Sequence, residues 1–473
     1  MSPPHPRSDD RFMNAGAQRL RVRAATHVTQ PTGSSAVAWL SLSLLLTLFV
    51  SVIVIKAIWQ RNDIVVSQPG WEMLNLIWLI YVPPIVVGIV GLSVYRNTSA
   101  PARPIHNLIS YRIVSRGQNY EALLQTVDSI GRVMRANPLF AYRIEVVTDL
   151  PVKIPPGVRH FLMPSHYRTA KRSMYKARAM QYALERSDLR PDAWIMHLDE
   201  ESEITPSVVD GIAAAVAEEE ASGSYRIGQG AILYHRLLER HPFLTLADSL
   251  RTADDLGRFY LQYRFGKAVF GMHGSFILVR NSVEKAVGFD LGPAGSITED
   301  TYWSLVLSAS GHGFRWVDGY ILEQSCQSVG DFLKQRRRWF LGLTLAVTSA
   351  PAPWRDKAIL GASLITWAST LLAWPITFAN LVTGTTAPEW IQIAASFALA
   401  GYATHYLVGL YVNLNDRGVY GWKRLYYYLF QLAALPIYSV MESSAVIYAV
   451  LRPDMNGFHV VAKNPDTRIQ LAA

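Results

Sequence analysis

The chain has 473 residues, of which half are hydrophobic and only 17% are charged, so an ordinary soluble globular protein is a poor fit. The net charge of +9 would suit nucleic acid, anionic lipid or a phosphorylated substrate. Much of this charge lies beside apolar blocks, which favours a membrane. The single cysteine, Cys326, excludes an intrachain disulfide and a cysteine zinc site and agrees with a reducing compartment.

Two apolar runs near the N-terminus predict membrane-spanning helices. Residues 1–34 form a basic arm that we expect to be disordered, and the region 35–95 holds apolar runs at 36–59 and 71–95. Each run reaches the roughly 20 residues that cross a hydrocarbon core. The first is too long, and starts too late, for the apolar core of a signal peptide. We therefore predict two permanent spans.

Residues 96–328 follow a different pattern, in which short apolar runs alternate with helical stretches. LISYRIVS, YRIEVVTD, RHFLMP and AWIMHLD read as strands, whereas NYEALLQTVDSIGRV, YRTAKRSMYKARAM and MYKARAMQYALE read as helices. This alternation predicts a doubly wound α/β domain with parallel strands. Because ligands of such domains bind at the carboxyl ends of strands, residues that follow the strands are candidates for a site.

The rest of the chain is again rich in apolar residues. Residues 329–357 are basic, aromatic and amphipathic and predict interfacial helices, whereas 358–413 predicts two spans, near 360–382 and 390–412. The stretch 425–451 has the length of a span but carries Pro436 and Glu442 near its middle. An acidic group there costs about 2.5–3.5 kcal/mol. Hydropathy alone does not decide whether this stretch crosses.

Basic residues predict the topology. The N-terminal arm is basic, and two pairs of spans would return both the α/β domain and Lys423 to the cytoplasm. A fifth crossing at 425–451 would place Arg452 and Lys463 outside. We therefore predict an integral membrane protein with four spans, a cytoplasmic α/β domain and cytoplasmic termini. The segment 414–473 would then hold broken interfacial or re-entrant helices and a terminal loop.

Three acidic residues follow the strand WIMHLD, namely Asp199, Glu200 and Glu201. Alternation along an extended chain puts Asp199 and Glu201 on the same side, and close carboxylates repel unless a cation or shared proton compensates. Their oxygens suit Mg²⁺ or Mn²⁺, which would then clamp a diphosphate. A solvated turn that caps the next helix explains the pattern equally well.

A further acidic residue and a basic segment suit the same ligand. Asp149 ends the strand YRIEVVTD and could meet a base or ribose, although a lone aspartate there is more often a turn residue. In a predicted helix, Arg168, Arg172 and Lys176 recur every four residues, with Arg178 nearby. Like charges at this spacing cost roughly 0.2–0.5 kcal/mol per pair unless an anion is bound. A solvated basic face is the simpler alternative.

Two later segments also have two interpretations. In SITED, Glu299 and Asp300 precede a helical stretch, so they either cap that helix or place Asp300 as a general base for an acceptor hydroxyl. Such a base contributes about 10²–10⁴ in rate. In QRRRW, Gln335, Arg338 and Trp339 lie where the α/β domain meets the membrane, and a snorkelling anchor is the simpler explanation.

Taken in order, VVTD, LDEE, TED and QRRRW resemble the motifs of membrane-integrated family 2 glycosyltransferases, which include cellulose, chitin and hyaluronan synthases. The resemblance covers roughly 105–345. It implies a GT-A-type nucleotide-sugar domain with a mixed, mostly parallel sheet, fused to transmembrane and interfacial helices. It also implies a nucleotide-sugar donor, Mg²⁺ or Mn²⁺ at Asp199 and Glu201, and Asp300 as catalytic base. The family's metal motif usually ends in aspartate, where this chain has Glu201.

The same resemblance implies which residues contact the substrates. The donor would meet Ser115, Arg116, Asp149, Lys176, Arg178, Asp199, Gln335, Arg338, Trp339, Phe458 and Lys463. The acceptor would meet His273, Gly274, Ser275, Glu299 and Trp339. Phe458 and Lys463 belong to GFHVVAK (457–463), which is similar to the gating loop that follows an interfacial helix in these synthases. Val461 replaces the usual threonine of that loop.

Longer stretches resemble one branch of the family. HLDEES, LADSLRTADDLGR, GMHGSF and FLKQRRRWFLG are similar to segments of egghead-type β-1,4-mannosyltransferases, which transfer mannose from GDP-mannose to a glucosyl lipid. This implies GDP-mannose as donor, with a UDP-sugar as the alternative, a lipid-linked sugar as acceptor, and inversion at the transferred sugar.

Three alternatives differ from this interpretation. A processive polysaccharide synthase is the nearest, although four spans are few for a polymer channel. A transporter or channel is disfavoured because nearly half of the chain forms one α/β domain and the spans hold few ionisable groups. A nucleic-acid binder is weaker still, because the basic residues accompany carboxylates at strand ends.

Overall fold

The computed structural model describes residues 34–60, 73–97, 102–383, 387–454, 461 and 463. The predicted disordered arm lies outside this part, except for Ser34, which begins the first helix. An eight-stranded sheet forms the centre of the α/β domain. Its strands are β1 (Ile109–Ser115), β2 (Tyr142–Thr148), β3 (Arg159–Leu162), β4 (Trp194–Asp199), β5 (Glu203–Ile204), β6 (Ile227–Leu233), β7 (Ile277–Arg280) and β8 (Phe314–Leu322).

The sheet is mixed and mostly parallel, which confirms the prediction. Its strand order is β3-β2-β1-β4-β7-β6-β8-β5. The neighbours β3, β2, β1 and β4 are parallel to one another, as are β6 and β8, whereas β7 is antiparallel to β4 and β6 and β5 is antiparallel to β8. The carboxyl ends of β1, β2 and β4 therefore meet at one edge.

Helices cover both faces of the sheet, so the central strands are buried on both sides. This burial explains why the parallel strands are near-continuous apolar runs in the sequence. On one side, Tyr111 and Trp194 pack with Leu123 in one cluster. On the other, Ile195 packs with Met180 in a second cluster.

Helices cover the sheet and continue into a bundle. Those of the α/β domain are α3 (Tyr120–Ala136), α4 (Tyr175–Arg186), α5 (Pro206–Ser222), α6 (Pro242–Ala247), α7 (Ser249–Asp254), α8 (Tyr260–Arg264), α9 (Asn281–Val287) and α10 (Glu299–Ala309). A π-helical turn, Asp255–Phe259, joins α7 to α8. Outside the domain lie α1 (Ser34–Gln60), a 3-10 helix (Met73–Tyr81) that leads into α2 (Val82–Val94), α11 (Val329–Ser349), α12 (Trp354–Thr383), α13 (Glu389–Asp416) and α14 (Gly421–Leu451).

Five helical segments of the described chain are long and apolar enough to cross a membrane. Four of them, Ser35–Ile58, Met73–Val94, Trp354–Asn380 and Glu389–Asp416, coincide with the four predicted spans. The fifth, Gly421–Leu451, contains the stretch that hydropathy left undecided. Several helices of this length and composition indicate association with a membrane.

The last helix corrects one prediction, because α14 is continuous where we expected broken helices. Its buried side chains recur every three or four residues on both sides of Pro436, for example Tyr427, Tyr438 and Ala445. Packing of this stripe offsets the roughly 3 kcal/mol that an internal proline costs a helix. The prediction that the segment does not cross the bilayer is separate and stays a prediction.

The basic segment before α4 corrects another prediction. The helix begins only at Tyr175, so Arg168 and Arg172 do not share a helical face with Lys176. Asp290 fixes the residues before Tyr175 in a turn. Its carboxylate accepts hydrogen bonds from the Lys171 backbone N–H at 2.8 Å and from the Ser173 hydroxyl at 3.0 Å.

Candidate active site

The carboxyl ends of β1, β2 and β4 open into one cavity of about 1380 Å³. The parallel register pairs Val114 with Asp199 and Ser115 with Thr148, so residues that follow these strands converge. The predicted site residues that line the cavity are Ser115, Arg116, Asp149, Lys176, Arg178, Asp199, Glu201, His273, Gly274, Ser275, Glu299, Asp300, Gln335, Arg338, Trp339 and Lys463. Phe458 lies outside the described residues. The structure thus brings these side chains together, whereas their individual roles stay predictions.

Lys176 lies at the centre of the carboxylates. Its ammonium group donates a hydrogen bond to Asp199, donates another to the Gly274 carbonyl at 2.6 Å, and lies 3.7 Å from Glu299. Burial alone would lower the pKa of Lys176, but Asp199 and Glu299 outweigh it and raise the pKa above its usual value. Burial likewise opposes ionisation of Asp199, yet Lys176 holds its pKa below the usual range. Lys176 and Asp199 therefore form a charged pair.

Gly274 lies close to these charged groups, so a side chain there would be tightly packed. A Cβ atom added there would lie 3.1 Å from Asp300 Oδ2 and 3.2 Å from Lys176 Nζ. Contacts at this distance are tighter than ordinary van der Waals packing and would push the lysine and the aspartate apart. The glycine of GMHGSF thus permits a lysine and an aspartate to approach each other closely.

The three acidic residues after β4 have different environments. Glu200 is buried and accepts hydrogen bonds from the Ser115 hydroxyl and, at 2.5 Å, from the Asn119 amide. Burial, together with the charge of Glu201, raises the pKa of Glu200 to about 7. Glu201 lies 2.6 Å from Lys463 Nζ. Glu200 thus holds the ends of β1 and β4 together through hydrogen bonds, whereas Asp199 and Glu201 each form an ion pair with a lysine.

Glu299 and Asp300 begin α10, as predicted, and both face the cavity. Burial and the neighbouring Asp300 raise the pKa of Glu299 to about 7. Burial also raises the pKa of Asp300, but the Thr301 backbone N–H, which donates to Asp300 Oδ1 at 2.7 Å, and Lys176 favour its ionised form. The helix N-terminus adds a favourable field. These contacts partly offset the effect of burial and stabilise the ionised form of Asp300.

The opposite wall of the site comes from the segment 271–275 and the π-helical turn. The His273 ring bonds to Asp255 at 2.5 Å. Although burial alone would lower the pKa of His273, Asp255 raises it above its usual value. Asp255 also accepts a hydrogen bond from the Ile232 backbone N–H at 2.9 Å, which fixes its position. Ser275 contacts the Ser202 hydroxyl at 2.8 Å. The contact with Asp255 therefore holds the His273 ring in this wall and favours its protonated form.

Asp149 faces Arg178 of α4, with 3.8 Å between Oδ1 and Nη2. Burial raises the pKa of Asp149, and Arg178 and Arg116 partly oppose that effect. The helical prediction for Arg178 is thus confirmed, and it lies beside the aspartate that we assigned to the nucleotide. A carboxylate between two arginines is suited to meet a base or a ribose at this edge.

The QRRRW segment lies on α11 and has two different faces. Gln335, Arg338 and Trp339 line the cavity, but Arg336 is 4% exposed and lies 2.8 Å from Asp248 and 2.9 Å from Glu442. Arg336 therefore joins the α/β domain to α14. Sequence reasoning missed this pair because its members are 106 positions apart.

Val461 and Lys463, the two described residues near the C-terminus, line one side of the cavity. Lys463 Nζ donates to the Gln324 carbonyl at 3.0 Å as well as contacting Glu201, and its backbone N–H donates to Asn119 Oδ1 at 3.1 Å. The Asn119 amide in turn donates to the Val461 carbonyl at 3.0 Å. The described residues of the predicted gating loop thus contact the acidic strand end.

Other cavity residues were not predicted. Arg251 lies 4.8 Å from the ring centroid of Trp339. Glu323 lies close to Asp199, and burial together with the charge of Asp199 raises the pKa of Glu323 to about 7. Both Gln324 side-chain polar atoms are buried without a hydrogen-bond partner in the described chain, and Gln324 also lines the cavity. Arg251 belongs to LADSLRTADDLGR, a stretch that indicated a family resemblance but in which we predicted no site residue. Glu323 and Gln324 follow β8, and their position after a strand was the signal that could have identified them.

The far part of the cavity is apolar and belongs to the helical bundle. Side chains of α12, α13 and α14 line it, among them Leu364, Leu399 and Leu435. The same space therefore contacts both the carboxylates at the strand ends and the candidate membrane helices.

Comparisons with known proteins show which proteins this chain is similar to. Residues 194–441 match the model of the glycosyl transferase family group 2. The chain is 30% identical to beta-1,4-mannosyltransferase bre-3 of Caenorhabditis briggsae over 84% of this chain and 88% of that protein. It is 29% identical to beta-1,4-mannosyltransferase egh of Drosophila melanogaster over 83% and 87%. A solved mannosyltransferase, PcManGT of Pyrobaculum calidifontis in complex with GDP-Man and Mn²⁺, aligns over 80% of this chain and 99% of its own with 12% identity and a TM-score of 0.45.

The match to the family model covers more than half of the chain, and the bre-3 relative extends the similarity over most of it. Both findings confirm the resemblance that the four motifs indicated. The chain is therefore a glycosyltransferase with a GT-A-type domain, and it belongs to the glycosyl transferase family group 2.

Proposed function

We propose that this glycosyltransferase transfers mannose from GDP-mannose to a glucosyl lipid at the cytoplasmic face of a membrane, forming a β-1,4 linkage with inversion. One observation carries the proposal: a single cavity holds the carboxylates at the strand ends and continues between the candidate membrane helices. A water-soluble donor enters such a site from the sheet edge, and the apolar part of a lipid acceptor occupies the bundle.

The choice of mannose and of the linkage rests on the relatives. Two of them, bre-3 and egh, are named β-1,4-mannosyltransferases and cover most of this chain at about 30% identity. Asp149, Arg116 and Arg178 form the edge that would receive the nucleotide. The transporter alternative loses its support once the chain belongs to a glycosyltransferase family.

Asp300 is the base in the proposed reaction. It takes the proton of the acceptor hydroxyl while that oxygen attacks the anomeric carbon, and the nucleoside diphosphate leaves from the opposite side with the bonding electron pair. One displacement of this kind inverts the configuration. Glu299, with its pKa raised to about 7, stays largely protonated below neutral pH and can donate a hydrogen bond to the acceptor without competing for the proton.

A divalent metal fits this site through Asp199 and Glu201. In the described chain, no group of three or more His, Cys, Asp or Glu side chains could hold a metal ion by itself. Mg²⁺ typically uses one or two carboxylates and completes its shell with substrate phosphates and water. Both carboxylates already face cationic partners, Lys176 and Lys463, which shows that this position favours positive charge. A bound ion would neutralise the diphosphate and assist its departure.

The contacts of α14 support the proposed four-span topology. Near its N-terminal end Lys423 lies 3.7 Å from Glu239 of the α/β domain, and at its C-terminal end the Arg452 carbonyl accepts a hydrogen bond from Arg337 at 2.9 Å. In between, the Tyr438 hydroxyl donates to the Phe243 carbonyl at 2.7 Å. A helix with such contacts near both ends and in its middle is suited to lie in the interface rather than to cross.

Purified full-length protein, given a glucosyl lipid and a panel of nucleotide sugars with Mn²⁺, tests the proposal. We expect transfer from GDP-mannose and one β-linked mannose per acceptor, identified by mass spectrometry and by the anomeric proton coupling in NMR. A long polymer made without lipid acceptor would establish the processive synthase instead. Transfer from a UDP-sugar alone would keep the reaction class but overturn the donor.

A further inference from the structure

The end of the cavity farthest from the α/β domain is lined by polar side chains. They are Lys56 of α1, Asn75 of the 3-10 helix, Asn380 of α12 and Gln392 of α13, and we call them the distal polar cluster. Each residue lies within four positions of one end of its element. The cluster is thus formed by four separate elements that meet at one depth of the bundle.

The other ends of these helices contact the α/β domain. Val37, near the start of α1, packs in one cluster with Leu233 of β6, and Asp416, at the end of α13, bonds to His235 at 2.6 Å. The 19 residues from Val37 to Lys56 rise roughly 28 Å along a helix, close to the thickness of a hydrocarbon core. The distal polar cluster therefore lies about one bilayer thickness away from the domain.

The cluster contains polar atoms that the described protein groups leave unsatisfied. Lys56 Nζ donates to Ser396 Oγ at 3.0 Å and to the Gln392 carbonyl at 3.5 Å, so both of these acceptors are neutral. The Asn380 amide donates to Asn75 Oδ1 at 2.7 Å, which leaves Asn75 Nδ2 and Asn380 Oδ1 without partners in the described chain. Asn75 is 2% exposed. A cation and an unpaired N–H among apolar helices are costly unless a ligand compensates them.

We propose that the distal polar cluster binds a phosphate group, supplied by the headgroup of an anionic lipid or by free phosphate. The apolar tail of an acceptor cannot satisfy Lys56 or Asn75, whereas a phosphate oxygen accepts hydrogen bonds from both an ammonium and an amide N–H. The position at the end of the bundle is the depth at which lipid headgroups lie. This site is separate from the one that performs transfer.

Lipid binding to the purified full-length protein tests this site. Detergent-solubilised protein is titrated with phosphatidylglycerol, with diacylglycerol of the same acyl chains, which has no phosphate, and with inorganic phosphate, while bound ligand is counted by native mass spectrometry and the unfolding temperature is followed. We expect phosphatidylglycerol to bind more tightly than diacylglycerol. Lys56→Met should weaken phosphatidylglycerol binding by about tenfold or more, the usual effect of losing a hydrogen bond to a charged group.

Matched variants guard against effects of misfolding. Lys357→Met removes a lysine near the other end of α12, where Lys357 donates to the Ala350 carbonyl at 3.1 Å, and should bind the lipid as the unaltered protein does. Lys56→Arg keeps the charge and should retain binding, whereas Asn75→Asp keeps the size but repels an anion and should weaken it.

The outcomes distinguish the sources and the site. Equal shifts with inorganic phosphate would identify a free anion as the ligand. Equal binding of both lipids, or unchanged phosphatidylglycerol binding in Lys56→Met and Asn75→Asp, would overturn the proposal. Sugar transfer and donor affinity are measured on the same samples, so a failure of the proposed reaction would be recognised separately.

Discussion

Replacing Arg336 by methionine would leave the buried Asp248 and the partly buried Glu442 without their main partner. The guanidinium lies 2.8 Å from Asp248 and 2.9 Å from Glu442, and Asp248 is 2% exposed. After the substitution Asp248 keeps its longer contact with Arg251, at 3.9 Å. Breaking a buried ion pair by removing one partner costs about 3–5 kcal/mol. Methionine preserves most of the apolar contact of the side chain, so we assign the expected loss of unfolding free energy to the charges.

Thermal unfolding of the purified protein measures this loss. At about 2–4 °C per kcal/mol for a domain of 150–250 residues, the unfolding temperature of Arg336→Met should fall by roughly 6–20 °C. Lys334→Met, an exposed lysine on the same helix, is the control and should change stability by no more than about 0.5 kcal/mol. Adding Glu442→Gln to Arg336→Met should recover part of the loss, because it removes one uncompensated charge. An Arg336→Met protein as stable as the control would refute this reasoning.

Four further outcomes are expected. Asp300→Asn should lower turnover by about 10²–10⁴ while calorimetry shows unchanged GDP binding, and near-normal turnover would remove Asp300 from the role of base. Asp199→Ala should weaken GDP binding when Mn²⁺ is present, whereas equal weakening in chelator contradicts the metal assignment. In a cysteine-free background, Trp422→Cys and Pro453→Cys, at the two ends of α14, should react with an impermeant reagent from the same side of the membrane; labelling from opposite sides excludes four spans. The pKa of Glu200 is raised to about 7 in the folded protein. The stability that the protonated Glu200 contributes is therefore present below about pH 4.5 and is lost as pH rises through 7, by at most about 3 kcal/mol. Glu200→Gln should accordingly flatten the fall of the unfolding temperature between about pH 5 and 8.

The positions that sequence reasoning found are those that local pattern determines. Asp149 and Asp199 follow apolar strands, and parallel strands bring their carboxyl ends to one edge, so their meeting followed from the alternation of strands and helices alone. The same holds for Glu299 and Asp300, which start a helix whose apolar pattern is visible in the sequence. The family motifs supplied the order of these segments.

The features that sequence reasoning missed depend on contacts between distant segments. Nothing near Lys176 indicates that its ammonium meets a glycine carbonyl 98 positions away, and nothing near Glu442 indicates its pairing with Arg336. Equally, YRTAKRSMYKARAM (167–180) reads as a helix, but Asp290, from a remote loop, holds its first half in a turn. Tertiary hydrogen bonds of this kind override local propensity.

The continuity of the cavity has a consequence for how the enzyme meets its acceptor. In the proposed reaction, a lipid whose tail stays between α12, α13 and α14 presents its sugar to Asp300 without being extracted from the bilayer. Encounters then take place in two dimensions, and the concentration that governs the rate is the mole fraction of acceptor within the membrane. Diluting the acceptor with inert lipid should slow transfer even when the amount per volume of suspension is constant.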